Sequence, residues 1–151
     1  MNAHDSTADG GDPRPSPGTR AVPFPRVDVR FGHIGRDYQP GEWLTVEYTC
    51  SALGDEAIPA VERSVVWYTE GKGEEDLGVH FFERIATPSG VAAVVPDGTV
   101  AVRLPRSPLT YEGVIVKIRW CFRLRLFFES GRDHVSEHVF ALGRVPPSLH
   151  P

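Results

Sequence analysis

From residue 114 to 128 the chain reads Val-Ile-Val-Lys-Ile-Arg-Trp-Cys-Phe-Arg-Leu-Arg-Leu-Phe-Phe, with apolar and polar positions taking turns. Val114, Val116, Ile118, Trp120, Phe122, Leu124, Leu126 and Phe128 fall on one side of an extended chain, and Lys117, Arg119, Cys121, Arg123 and Arg125 on the other. Successive strand side chains point to opposite faces, so the pattern predicts one long strand with an apolar inner face and a cationic outer face. At about 3.3 Å per residue it would span roughly 50 Å, well beyond a common strand and suited to the centre of a sandwich or curved sheet.

The same two-residue period recurs along the chain. Val27, Val29 and Phe31 alternate with Asp28 and Arg30, and the turn Gln39-Pro40-Gly41-Glu42 leads into a strand from Trp43 to about Ser51. Further strands are expected at 62–70, 77–86, near 91–95, at 99–104 and at 134–142. Gly71–Asp76 reads as a polar connection, 105–113 as a loop and Ser130-Gly131-Arg132-Asp133 as a turn. Roughly eight strands with turns at this spacing predict an all-β sandwich. No window combines a 3.6-residue period with helix caps, and there is no internal repeat.

Composition adds boundaries. Residues 1–25 carry Gly10, Gly11, Pro13, Pro15, Pro17, Gly18, Pro23 and Pro25 with almost no large apolar side chain, so they are expected to form a disordered tail. The domain is then 26–143, and Pro146, Pro147 and Pro151 mark a loose tail over 144–151. A net charge of −4 argues against nucleic-acid binding, which usually shows as a basic domain. No run of about 18 apolar residues is present to span a membrane. The first residues lack the basic and apolar regions of a signal peptide, which makes a cytoplasmic location the expectation. Cys50 shares the inward set of Leu44, Val46 and Tyr48, whereas Cys121 is outward. Opposite faces argue against a disulfide, and two free thiols agree with a reducing compartment.

The order of features resembles an arrestin-like domain. A Pro-Gly-Glu turn opens an early strand (Pro40-Gly41-Glu42-Trp43-Leu44), and a Pro/Ser loop ending in Tyr-x-Gly (Leu104 to Gly113) opens onto the long strand. A Gly-x-Asp turn (Gly131-Arg132-Asp133) then leads to a closing strand ending at Leu142. The resemblance covers about residues 26–143. It implies a two-sheet, immunoglobulin-like sandwich acting as a cytoplasmic adaptor that docks on other proteins and does no chemistry. Arrestins carry two such domains and this chain has room for one. No Pro-Pro-x-Tyr motif is present, so receptor regulation is not implied.

Candidate chemistry is sparse. Lys117, Arg119, Arg123 and Arg125 form an outer stripe suited to an acidic peptide, a phosphorylated segment or an anionic headgroup, because a guanidinium donates two hydrogen bonds to such groups at once. The simpler reading is that the same residues keep the strand soluble while pairing with carboxylates on neighbouring strands, with Glu70, Glu74, Glu75 and Asp76 as the available set. Flanking arginines favour a Cys121 thiolate, yet no histidine base can be assigned to it, so it is expected to be passive. His134 and His138 share a strand face at about 13 Å, too far apart to hold one zinc. His80 alternates with Val79 and Phe81 and is expected to point outward. Gly71–Asp76 lacks the phosphate-loop pattern, and its three acids would repel phosphate. Trp43, Trp67 and Trp120 are expected in sheet packing.

The sequence therefore predicts a non-enzymatic adaptor or assembly protein without metal or cofactor. It would bind a protein partner through a sheet edge or the cationic face, with peripheral membrane contact as a further mode. A carbohydrate- or ligand-binding sandwich and a structural subunit of a homo-oligomer are the alternatives.

Overall fold

A computed structural model describes residues 24–88 and 94–145. Ten strands are present among them: β1 (Arg26–Phe31), β2 (Asp37–Tyr38), β3 (Trp43–Ser51), β4 (Ala60–Gly71), β5 (Leu77–Ala86), β6 (Gly98–Arg103), β7 (Thr110–Glu112), β8 (Val116–Phe127), β9 (Asp133–Leu142) and β10 (Arg144–Val145). They form two sheets. The smaller runs β1-β3-β6, all antiparallel. The larger runs β10-β7-β8-β4-β5, with β9 pairing β8 and β2 pairing β9. This is the all-β sandwich that the strand pattern predicts, in the two-sheet, immunoglobulin-like form that the resemblance implies.

The alternation in sequence becomes the core. In β3, Leu44, Val46 and Tyr48 are buried while Trp43, Thr45 and Glu47 are exposed. In β8, Trp120, Phe122, Leu124 and Leu126 enter the same inter-sheet cluster as Phe31, Tyr38, Val61, Val65, Val100, Val102, Phe140 and Leu142. Trp120 is the largest fully buried side chain, and its indole N–H donates to the Pro108 carbonyl at 2.7 Å. The turn before β3 depends on Gly41, whose φ of 84° lies where glycine has no steric cost. Glu42 closes that turn by donating its N–H to the Gln39 carbonyl at 3.1 Å and accepting the Gln39 N–H on its carboxylate.

Several sequence expectations change. The long strand starts at Val116 instead of 114, and Val114 is fully exposed, because β7 and β4 run out beside its first residues. The strand expected near 91–95 falls on residues 91–93, outside the described residues, and on 94–95, which are not in a strand. The N-terminal tail lies outside the described residues up to residue 23, as do 146–151 at the other end. Arg144 and Val145 pair with β7 as β10.

His80 is a correction. The β4–β5 register shifts between Val65, opposite Phe81, and Val66, opposite Val79, so His80 is the extra residue of a bulge. Its ring reaches towards the smaller sheet instead of outward: Nε2 hydrogen-bonds the Arg103 carbonyl at 2.7 Å, and the ring lies edge-on to Trp120.

Candidate functional site

The larger sheet has an outer face that the smaller sheet does not cover, and the strand registers place its side chains on a grid. Val79 of β5, Val66 of β4, Cys121 of β8 and Val139 of β9 are directly opposite one another and form an apolar row across four strands. Phe82, Ser64, Arg123 and Glu137 make the next row, and Arg84, Glu62, Arg125 and Val135 the one after. Val66 and Cys121 are buried but lie outside the inter-sheet core, shielded by the long side chains around them.

The four cations of β8 are each met by carboxylates. Lys117 Nζ is 3.7 Å from Glu112, and Arg119 lies 2.8 Å from Glu70 and 3.5 Å from Glu112. Arg123 is 3.0 Å from Glu137, and Arg125 is 2.7 Å from Asp133 and 4.0 Å from Glu62. Of the acids expected as partners, only Glu70 takes part. The others come from β4, β7 and β9, whose adjacency to β8 could not be read from the sequence. These pairs are half-exposed, and each contributes about 0.2–1 kcal/mol. Arg123 lines two open depressions on this face. One, of about 360 Å³, is walled also by Tyr68, Glu70, Glu75, Asp76, Leu77 and Glu137. The other, of about 190 Å³, adjoins Val66, Val79, Phe82 and Arg125.

Cys121 is not a nucleophile in waiting. Burial pushes its thiol up to about 12, and the Glu137 carboxylate adds to this while Arg123 only partly opposes it. Cys50 is pushed up to about 12 for the same first reason, with Asp97 and Asp28 adding to it. Both cysteines are free, as their opposite faces require. His134 and His138 face inward with Ser136 between them, and Ser136 Oγ and His138 Nε2 are hydrogen-bonded at 2.6 Å. The His138 imidazole is held below its ordinary value by burial first, then by Arg36 nearby, against a smaller opposing effect of Asp28. No group of three or more His, Cys, Asp and Glu among the described residues is placed to hold a metal ion. Trp120 is core and Trp67 packs against the core, its ring lying over Gly78. Trp43 is exposed on the smaller sheet.

Two features lie outside the sequence expectations. The first is β5, which among the described residues pairs with β4 alone and forms the end of the larger sheet. It exposes Leu77, Val79 and Phe82 at 56%, 59% and 56% on the outer side. The consecutive Phe81-Phe82, breaking an otherwise alternating strand, was the available signal of the bulge that aims them. The second is Arg63, which lies in register between the inward Val61 and Val65. It bridges the two sheets, with Nη1 donating to the Thr99 carbonyl at 2.9 Å and Nη2 to Glu83 at 2.8 Å. Its parity with those valines marked it as inward.

No protein-family model matches the chain, and no curated protein matches it in sequence. Solved structures do match in fold. Spo0M, the sporulation control protein from Bacillus subtilis, superposes with a TM-score of 0.56 at 14% identity, covering 78% of this chain and 49% of its own. The chain thus spans about half the length of Spo0M. The superoxide reductase (neelaredoxin) from Ignicoccus hospitalis gives a TM-score of 0.46 at 12% identity, over 79% of this chain and 80% of its own. At these identities the likeness to Spo0M shows the β-sandwich fold alone, and the second likeness adds no argument. No helix among the described residues is long and apolar enough to cross a membrane.

Proposed function

We propose that this chain is an arrestin-like, cytoplasmic adaptor or assembly module that recognises partner proteins without turnover, principally along the open edge of β5. The observation that carries this reading is a ten-residue strand that pairs on one side among the described residues, with Leu77, Val79 and Phe82 exposed beside its other edge. An extended partner segment added there would gain main-chain hydrogen bonds. Those three side chains would supply the selectivity that the backbone lacks. Lys117, Arg119, Arg123 and Arg125 are the second contact. The observation favouring it is Arg123, which lines both outer depressions and is separated from the β5 edge by β4 alone. An acidic segment docking there would exchange with Glu70, Glu112, Glu137 and Asp133, which makes this contact sensitive to salt.

The test is quantitative capture of partners from the native cytoplasm with the full chain as bait. A Val79→Asp/Phe82→Asp variant should lower recovery of specifically bound proteins about tenfold, equivalent to about 1.4 kcal/mol, while the unfolding midpoint stays where it was. An Arg119→Glu/Arg123→Glu variant should reduce recovery less and remove its salt dependence. Recovery unchanged in both variants would refute the proposal.

A further inference from the structure

We infer that the occupant of the β5 edge is a second copy of this chain, paired antiparallel about a two-fold axis at Phe82. The inference rests on the reading of β5 as a docking edge and names what docks there.

Its basis is the self-complementarity of the strand. Because the bulge removes His80 from the alternation, Leu77, Val79, Phe82, Arg84 and Ala86 share the outer face, and Gly78, Phe81, Glu83 and Ile85 the inner one. With the axis at Phe82, each Phe82 meets its counterpart and Phe81 meets the second copy's Glu83. Beyond the bulge, Val79 meets Arg84, Gly78 meets Ile85 and Leu77 meets Ala86. Outer residues oppose outer and inner oppose inner along the whole strand, the condition that fixes a register.

Charge excludes the axes on the C-terminal side of Phe82. Moving it one residue on sets Glu83 against the other Glu83, and two residues on sets Arg84 against the other Arg84. Like charges directly opposite are destabilising. With the axis at Phe82 both charges face apolar partners and keep their own ligands, Arg63 for Glu83 and Glu62 for Arg84. The pairing joins two large sheets into one and covers the exposed Leu77, Val79 and Phe82 of both copies. His80, held to the Arg103 carbonyl, stays clear of the new ladder. Two paired edge strands make an interface at the small end of the specific range, so association should be weak and concentration-dependent.

Two measurements on the full chain test this. Sedimentation from about 10 µM to about 1 mM should show a monomer–dimer equilibrium, the range in which so small an interface dissociates, and Val79→Asp/Phe82→Asp should abolish it. Under mild oxidation Phe82→Cys should cross-link to a dimer, because directly opposite antiparallel residues bring Cα atoms to about 4.5–5.5 Å. Arg84→Cys should not, its two copies being about 13 Å apart along the ladder. A monomer at every concentration with no Phe82→Cys cross-link would overturn the inference. If capture still depended on β5, the docking edge would stand and only its occupant would be wrong. A dimer that survives the double aspartate variant, or an Arg84→Cys cross-link equal to that of Phe82→Cys, would overturn it as well.

Discussion

Replacing Trp120 with alanine should lower the free energy of unfolding by about 3–5 kcal/mol, measured as a shift in the denaturant midpoint at unchanged slope. Trp120 is wholly buried on β8, between β4 and β9, and is paired there with Trp67 and Phe140. Its ring contacts Phe140 and His80, so it touches the centre of the larger sheet and the bulge of β5 together. Removing it opens a cavity that strands held on both sides cannot collapse to fill, which places the cost at the upper part of the core range. Trp120→Phe separates packing from hydrogen bonding. It keeps most of the apolar contact but leaves the Pro108 carbonyl without its 2.7 Å donor, and should cost about 1–3 kcal/mol. An equal loss for both variants would mean that the hydrogen bond, not the volume, is what Trp120 contributes.

The second large effect is expected at the inter-sheet bridge, and in an unintuitive order. Glu83 is the more exposed partner of Arg63, their side chains being 44% and 12% accessible. Removing the exposed acid should nevertheless do more damage. Glu83→Ala strands a guanidinium between the sheets with one charge-assisted bond fewer, and its Nε already has no partner among the described residues. That should cost about 1.5–3 kcal/mol. Arg63→Met removes the buried cation itself and leaves Glu83 free to hydrate, so it should cost about 1 kcal/mol or less. The ordering follows from desolvation: a buried charge without its partner is expensive, and an exposed one is not. If Arg63→Met proved the worse of the two, Arg63 would matter through its bonds to Thr99 and Tyr48 more than through its charge.

These two residues mark how far the sequence could be read. The faces of β8 from Trp120 to Leu126 follow from alternation alone, since extended backbone leaves no other choice, and burial agrees except at Cys121, which is on the outer face yet buried. The opposed placement of Cys50 and Cys121 followed in the same way. What alternation does not contain is adjacency. It says that Arg123 points outward, not that Glu137 is opposite it, so of the acids it offers the cationic stripe, Glu70, Glu74, Glu75 and Asp76, only Glu70 takes part, while Glu62 of β4, Glu112 of β7 and Glu137 and Asp133 of β9 supply the rest. Nor does it mark where a strand loses its neighbours, which is why alternation places Val114 and Val116 in an interior they do not reach. His80 failed for a third reason: a bulge inverts the parity of everything beyond it, and its only trace was the doublet Phe81-Phe82. Alternation therefore marks the outer stripe with only one of its actual partners, and it admits a sheet edge as a binding surface without showing that β5 forms it.

That edge is where the account is most exposed, and residue-by-residue amide hydrogen exchange at low protein concentration tests it most directly. In β8, bonded to β4 on one side and to β7 and β9 on the other, the amides should exchange only with global unfolding. In β5 the amides that donate to β4 should be protected, and the alternate ones, directed away from the sheet, should exchange orders of magnitude faster. Raising the concentration should protect that second set. Uniform protection along β5 in the dilute protein would show that the edge is already covered, and would contradict the account.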